Sequence, residues 1–463
     1  MQKMDEALAS YFSQYRDFLE FRNKNEHFRF GHSLTKSNKF KNKLIEFLEF
    51  LIIFFLMLLT LGHSFKSNKQ PNQGVILVYG IDQSQITTDE EGLEKFRKFL
   101  IQDRFALKKV EDCRILVEIR DLRFLIPYSD KNIIIGSHME ILLLLQETSF
   151  SKKLWAICGV IFKVIQIPFR PNIYWRYRLI IRQLLIGSVY QILAYDKVQY
   201  LVTTQSQMLL QPLPFHFQRL SSEPRRLMFW YSTNHGRVSS KGIPWKFDYD
   251  SKLIDMKIDL NFVWTNAEKT RLNQFGVSAQ TVGSILFVPN PTNNTEIDAI
   301  DNSFVKTKCD RKIHNIIIFD ITPRNDASEF MLYSANNMEI FMREIFEAIK
   351  EVKSETRIIL KPKRNTSNSA WVDQQYTQFI EDCLRNNLVS IISPSTNLYE
   401  VSNSYCCSIS IPFTSAGLVV KEFKKSACHF IPESLIGYLD VDFESGMELV
   451  VGIEKLKTWL RNH

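Results

Sequence analysis

Two series of short apolar runs, each alternating with amphipathic stretches, constrain the fold of this chain more than any other feature. The first series includes the runs at 75–79, 115–119 and 259–265, and the second extends from 313 to about 431. Continuous apolar runs separated by helices are typical of parallel sheets that are covered on both faces. The sequence therefore predicts an α/β protein with two doubly wound, Rossmann-like domains that face a cleft.

The division of the chain follows from a polar segment at 289–312, which has two prolines and no hydrophobic period. At 463 residues, the chain is too long for one ordinary core. We therefore expect a helical, membrane-associated region at 1–72, a Rossmann-like domain at 73–288 with a basic, hydrophobic helical insertion at 150–195, a linker at 289–312, and a second Rossmann-like domain at 313–463.

Composition and charge narrow the range of partners. The formal net charge of +8 suits an anionic partner, either a phosphate-bearing ligand or an acidic membrane face. No basic stripe interleaved with aromatic residues occurs, and we expect no nucleic-acid partner. The seven cysteines form no CxxC pair and no zinc-binding spacing with histidine, so we expect no metal site and a reducing cytosol.

Two apolar regions with basic flanks indicate contact with a membrane. The uncharged run around 50–61 is shorter than the ~20 residues of a spanning helix. The region 150–195 mixes tryptophan and tyrosine with lysine and arginine, a mixture that suits the headgroup level. We predict a peripheral or shallowly embedded attachment. A short spanning helix over 44–65 and buried core helices in both regions are the alternatives.

Three polar loops in the C-terminal half are candidates for binding a phosphate group. They lie at 319–324, 361–364 and 412–415, each after a predicted strand. In a parallel sheet all three would line the same edge, where cations and hydroxyls at a helix start suit a phosphate. Ser393 would contact a base or ribose, and Glu422 a ribose hydroxyl. The candidate nucleotide- and phosphate-binding residues are Thr322, Lys361, Lys363, Arg364, Ser393, Pro412, Phe413, Thr414, Ser415 and Glu422.

Plainer interpretations of these residues stay open. Thr414 and Ser415 together suit an ordinary helix N-cap. The run at 361–364 suits a solvated turn, and Glu422 suits a solvated helix face.

In the N-terminal half, the strand at 226–231 runs into a polar turn. Transfer of a group to a hydroxyl requires a base that takes the hydroxyl proton. His235 has the right pKa range for this role, and Asp248 supplies a carboxylate nearby, with Asp250 and Asp255 as alternatives. We predict His235 and Asp248 as catalytic residues. The candidate acceptor-binding residues are Tyr231, Ser232 and Asn234, which alternatively cap a turn.

The run Pro412-Phe413-Thr414-Ser415, together with four other motifs, resembles the bacterial polysaccharide-biosynthesis PFTS motif proteins over roughly 200–435. The other motifs are the run WYSTN at 230–234, Val263-Trp264, Phe319-Asp320 with Thr322-Pro323, and Lys361-Pro362-Lys363. More distantly, the layout is similar to that of capsule Kdo transferases and bacterial sialyltransferases of the GT-B fold.

The resemblance implies a metal-independent glycosyltransferase of capsule or O-antigen biosynthesis at the cytoplasmic face of the inner membrane. The N-terminal domain would bind a glycan or lipid-linked acceptor, and the C-terminal domain a nucleotide-sugar, as a substrate rather than a cofactor. In the Kdo and sialyl relatives, a His-Pro pair and a Ser/Thr pair hold the CMP phosphate. Thr414-Ser415 matches the second pair, whereas Lys361-Pro362 stands where the histidine would, which leaves the nucleotide open.

Two other functions remain open at this point. One is a CDP-linked polyol-phosphate transferase of similar two-lobed fold. The other is a non-catalytic assembly partner in a polysaccharide synthesis complex.

Overall fold

The computed structural model describes the parts of the chain that form its two sheets. It covers residues 74–81, 90–107, 110–119, 128–130, 133–136, 158, 198–204, 211–216, 225–231, 256–288, 315–325, 332–352, 355–363, 372–405, 407–439 and 446–463. The regions predicted to be N-terminal helices and the linker lie outside these residues, as does the insertion at 150–195 apart from Cys158.

The N-terminal sheet has eight strands in the order β3-β4-β2-β1-β5-β6-β7-β8. All neighbours are parallel except β3 and β4. Because the chain moves outward from β1 in one direction and then returns to its other side at β5, the sheet is doubly wound. The strands are β1 (Gly74–Ile81), β2 (Cys113–Ile119), β3 (Tyr128–Asp130), β4 (Ile133–Gly136), β5 (Val198–Thr203), β6 (Arg225–Phe229), β7 (Leu260–Val263) and β8 (Ala279–Thr281).

The C-terminal sheet has six parallel strands in the order β11-β10-β9-β12-β13-β14. This is the strand order of the Rossmann fold, and its switch point lies between β9 and β12. The strands are β9 (Asn315–Phe319), β10 (Arg357–Lys361), β11 (Ser390–Ile391), β12 (Cys407–Ser410), β13 (Ser426–Ile431) and β14 (Glu448–Val451). The described residues thus confirm an α/β protein with two parallel-sheet domains.

Three of the described α-helices begin where a polar side chain accepts a hydrogen bond from a free backbone N–H group. One of them begins with a capping box, in which Thr265 and Glu268 bind each other's backbone N–H groups. Asp373 likewise caps another helix through the N–H of Tyr376. The α-helices are α1 (Glu90–Leu100), α2 (Asn266–Gln274), α3 (Ala335–Val352), α4 (Gln374–Arg385), α5 (Leu398–Ser404), α6 (Ala416–Glu422) and α7 (Ile453–Asn462).

One hydrophobic cluster joins the two domains. It contains Phe99 and Trp264 of the N-terminal domain together with Tyr399, Leu418 and Met447 of the C-terminal domain. Burial of each large apolar side chain contributes about 1.5–3 kcal/mol. The two domains therefore pack directly against each other through helices α5 and α6.

The described helices bear on the predicted membrane attachment. None of the helices within the described residues is both long enough and apolar enough to span one. The run at 44–65 lies outside those residues, so its membrane contact stays a prediction.

Candidate functional site

The carboxyl edge of the C-terminal sheet brings three candidate loops together. Lys361 pairs with Phe319, and Phe319 pairs with Ser410, so strands β10, β9 and β12 end level with one another. The loops that begin at Asp320, Pro362 and Ile411 therefore leave the same edge, on both sides of the switch point. Arg364 lies outside the described residues.

The motif residues 412–415 begin as a tight turn after β12. The N–H of Thr414 donates to the carbonyl of Ile411 at 3.4 Å, with Pro412 and Phe413 at the corner. Phe413 has a φ of 66°, in the left-handed region. Such a turn places proline second and normally glycine third, so a phenylalanine there costs roughly 1–2 kcal/mol.

The burial of the Phe413 ring offsets this strain. The residue is only 4% exposed, and full burial of such a ring contributes about 1.5–3 kcal/mol. The ring centroid lies 6.4 Å from that of His429 on the adjacent strand β13. On the other side, the Tyr333 hydroxyl donates to the carbonyl of Pro412 at 3.0 Å. The turn is thus held in a strained but fixed conformation from both sides.

His429 is a buried, neutral support of this turn. Its Nδ1 lies 3.1 Å from the hydroxyl of Ser410, the last residue of β12. Burial lowers the pKa of His429 to about 4, although hydrogen bonds to the backbone of Ser410 and Ile411 oppose the shift. The imidazole therefore carries no charge at neutral pH.

Helix α6 starts directly after the turn. Ser415 is the N-cap residue, but its side chain makes no capping hydrogen bond. The buried hydroxyl of Thr414 donates to the carbonyl of Ile411 at 2.9 Å and so stabilises the turn itself. A Cβ atom on Gly417 would lie 2.9 Å from Oγ of Ser410 and 2.7 Å from Cε of Met447, so α6 packs against β12 without room for a side chain.

Lys361 is a buried cation at this edge, and a hydrogen bond fixes its side chain. It is 7% exposed, and its Nζ donates to the carbonyl of Pro394 at 2.7 Å, in the turn after β11. Burial lowers the pKa of Lys361 to about 8, while the charge of Asp320 opposes the shift. Ser393 lies exposed in the same turn, with its Oγ 2.7 Å from that of Ser395. Lys361 thus fixes this turn to the end of β10.

Two other candidates from the same loops occupy different positions. Lys363 is exposed, and its backbone N–H donates to Asp320 at 2.7 Å. Thr322 is fully buried, and its hydroxyl donates to the Asp320 carboxylate at 2.9 and 3.1 Å. In this arrangement Thr322 supports the loop through Asp320, and its contact with a nucleotide stays a prediction.

Glu422 lies at the contact between the two domains. Its carboxylate accepts hydrogen bonds from the backbone N–H and the hydroxyl of Ser284, in the segment that follows β8. The Ser284 hydroxyl lies 2.9 Å from that of Tyr399, and Arg104 donates to the carbonyl of Ser284 at 2.7 Å. A contact of Glu422 with a ribose stays a prediction, because in this arrangement its carboxylate is engaged by Ser284.

In the N-terminal domain, Tyr231 is the one candidate acceptor or catalytic residue within the described residues. It is half-buried just past the end of β6. The indole of Trp264 donates to the carbonyl of Trp230 at 2.5 Å, and the indole of Trp230 donates to Asn261 at 3.0 Å. Tyr231 therefore leaves a rigid sheet edge. The predicted residues Ser232, Asn234, His235 and Asp248 lie outside the described part of the chain.

Sequence reasoning left Asp320 out of the site, although it stands in one of the quoted motifs. An acidic residue directly after a continuous apolar strand was the available signal. Among the described residues, no group of three or more histidine, cysteine, aspartate or glutamate side chains is placed to hold a metal ion.

Comparison with known proteins identifies the family. Residues 160–460 match the polysaccharide biosynthesis PFTS motif proteins, which is well over half of the chain. The chain therefore belongs to this family of polysaccharide-biosynthesis proteins. No curated protein matches the sequence.

Solved structures give weaker similarities. The wall teichoic acid polymerase TagF is 12% identical, with 92% of this chain and 88% of that chain covered and a TM-score of 0.41. An α,α-trehalose-phosphate synthase (UDP-forming) from Burkholderia vietnamiensis is 10% identical, with 84% and 91% covered and a TM-score of 0.43. At such identities, the similarity carries no information on substrate or reaction.

Proposed function

We propose that the protein is a glycosyltransferase of capsule or O-antigen biosynthesis. It transfers a sugar from a nucleotide-sugar to a glycan or lipid-linked acceptor at the cytoplasmic face of the inner membrane. Membership of the polysaccharide-biosynthesis family supports this proposal. The observation that carries it is the position of the motif turn, which follows β12 at the switch point of a Rossmann-ordered sheet, where doubly wound domains bind their ligands.

The donor phosphate would bind at the carboxyl edge of the C-terminal domain. Lys361 and Lys363 supply positive charge from the loop after β10, and Arg364 would add a bidentate group. Ser415 and the turn around Phe413 supply hydroxyl and N–H groups on the other side of β9. In this proposal Ser393 and Glu422 contact the base or ribose, which requires Glu422 to leave Ser284 when the donor binds.

The chemical step would break the bond between the anomeric carbon and the phosphate oxygen of the donor. The acceptor hydroxyl oxygen forms the new bond to that carbon, and its proton passes to a base, for which His235 and Asp248 are the candidates. The nucleotide leaves with the bonding electron pair. Cations fixed in a partly buried site stabilise the charge that develops on its phosphate, a role that does not require a metal ion.

The acceptor would bind at the facing edge of the N-terminal domain. Tyr231 leaves the end of β6 there, and Ser232 and Asn234 follow it in sequence. The tryptophan pair behind Tyr231 supports this choice because it fixes the start of the loop.

A ligand screen followed by a product assay tests the function. Purified protein is subjected to thermal-shift measurements with CMP, CDP, UDP, GDP and their sugars, alongside Ser415→Ala. We expect stabilisation by one nucleotide and its sugar, weakened in Ser415→Ala. The exposed Ser278 at the other domain provides the control Ser278→Ala, which should behave as wild type.

The products separate the alternatives. A glycosyltransferase releases the nucleotide and leaves no new phosphate on the acceptor. A polyol-phosphate transferase instead passes a phosphate to the acceptor. No response to any nucleotide or sugar would contradict both enzymes and favour the assembly partner.

A further inference from the structure

A single buried carboxylate ties together three segments of the candidate donor site. Asp320, the first residue after β9, is 4% exposed. It accepts hydrogen bonds from the Tyr376 hydroxyl on α4 at 2.7 Å and from the backbone N–H of Lys363 at 2.7 Å. It also accepts from the Thr322 hydroxyl. The loop after β9, the turn after β10 and helix α4 therefore meet at one side chain.

The hydrogen bonds around Asp320 favour its ionised form, because only a carboxylate accepts from all of these donors without presenting a proton of its own. Burial raises the pKa of Asp320, while the hydrogen bonds from Tyr376, from the Lys363 N–H and from Thr322 oppose that shift. Tyr376 is buried as well, and its pKa lies well above the usual value. Three donors therefore point at Asp320, the arrangement that suits a carboxylate without a proton of its own.

The same carboxylate acts on Lys361. Phe319, which precedes Asp320, pairs with Lys361 across β9 and β10, so Asp320 lies one residue beyond Lys361 on the adjacent strand. Asp320 is the charged group that opposes the lowering of the Lys361 pKa by burial. Tyr376 on α4 and Lys361 on β10 are titratable side chains that interact with Asp320, and the charged residue Lys363 contacts it through its backbone N–H.

We propose that Asp320 is a positioning residue of the donor site, which holds the turn at 361–363 in place and keeps Lys361 positively charged for the donor phosphate. This inference rests on the proposed function, because it requires a phosphate at this edge. Asp320 itself is buried and does not contact the ligand. It acts through Lys361 and through the backbone of Lys363.

A purely structural role for Asp320 makes a different prediction. A carboxylate that only joins three segments affects stability when it is changed, but not the pH at which ligand affinity falls. If Asp320 maintains the charge of Lys361, its removal shifts that pH. The pH dependence of nucleotide affinity therefore separates the two roles.

The test uses two matched variants of the full chain. Asp320→Asn removes the charge and keeps an oxygen for the Lys363 N–H and for Thr322. Its amide donates to the Tyr376 oxygen, so the bond that Tyr376 donates in wild type is reversed, and Tyr376→Phe controls for the loss of that donated bond. Tyr376→Phe removes one hydrogen bond and keeps the charge. The affinities for CMP, CDP, UDP and GDP are measured by titration calorimetry between pH 6.5 and 9.5.

In wild type, we expect nucleotide affinity to fall as the pH rises through about 8, where Lys361 loses its proton. In Asp320→Asn, the midpoint should move down by about one unit, which lowers the affinity about fivefold at pH 8 and by up to about tenfold at higher pH. Tyr376→Phe should keep the wild-type midpoint. Lys361→Met should abolish the fall in affinity near pH 8. Adding Asp320→Asn to Lys361→Met should not change the pH dependence further.

The outcomes distinguish this inference from the proposed function. If wild type binds none of the four nucleotides, the proposed function fails and the inference fails with it. If wild type binds but the midpoint of Asp320→Asn is unchanged, the inference alone is wrong. If Asp320→Asn does not fold, wild type and Lys361→Met still test the inference. Wild-type affinity that does not fall near pH 8 contradicts it, and so does a fall near pH 8 that persists in Lys361→Met.

Discussion

Phe413 provides a test in which two truncations of one side chain should reverse their usual order of stability. Both Phe413→Ala and Phe413→Gly remove a buried ring, which costs about 3–5 kcal/mol in either case. They differ in the backbone, because φ at this position is 66°. Alanine retains the left-handed strain of roughly 1–2 kcal/mol, and glycine does not.

The unfolded chain reduces this difference without cancelling it. Glycine makes the unfolded state more flexible, which favours alanine by about 0.4–1 kcal/mol. With the midpoints of these two ranges, subtraction leaves Phe413→Gly more stable than Phe413→Ala by about 0.8 kcal/mol. That difference corresponds to a local opening constant about fourfold larger in Phe413→Ala.

Hydrogen exchange with mass spectrometry measures this opening in peptides that cover β12 and α6. Glu347, an exposed residue in the interior of α3, gives the control pair. There alanine should be more stable than glycine by about 1 kcal/mol, the ordinary helical order. Equal protection of the two Phe413 variants, or greater protection in Phe413→Ala, would refute the argument that the turn is strained and held by the ring.

Three further predictions concern the packing around the site. Gly417→Ala places a Cβ atom 2.9 Å from Oγ of Ser410 and should destabilise the folded protein by about 1–3 kcal/mol, which lowers Tm. In the control Gly437→Ala, the new Cβ atom meets nothing within 4 Å, so Tm should not change. Glu422→Gln should destabilise the domain contact by about 1–3 kcal/mol. If the changes in unfolding free energy of Glu422→Gln and Ser284→Ala are strictly additive in the double variant, the contact between Glu422 and Ser284 is contradicted. His429 has a pKa of about 4 in the folded protein and about 6.5 when unfolded, so wild type should lose stability relative to His429→Asn as the pH falls from 6.5 to 4. The same difference in unfolding free energy between the two proteins at pH 7 and at pH 5, measured by denaturation, would contradict this.

The sequence pattern was sufficient to predict the fold class. Its apolar runs at 75–79 and 115–119 lie within β1 and β2, and the run at 259–265 contains β7. These elements were predictable because burial on both faces of a parallel sheet requires continuous apolar runs. The expected positions of loops 361–364 and 412–415 followed from the same reasoning, since parallel strands direct their carboxyl ends to one edge.

The contacts within the site were not predictable, because they depend on distances that spacing along the chain does not encode. Ser284 and Glu422 are 138 positions apart, and no local pattern connects them. The hydrogen bonds of the Thr322 hydroxyl to Asp320 could likewise not be predicted from its place in a polar loop. The left-handed backbone of Phe413 was not predictable either, because phenylalanine rarely occupies such a turn position.

The proposed function requires the donor nucleotide to bind around the motif turn, and a hydrogen-exchange footprint locates that binding directly. The protein is compared with and without the nucleotide that gives the largest thermal shift. We expect new protection in peptides that contain 361–363 and 411–422. Binding that protects other segments and leaves these two unchanged would contradict the account.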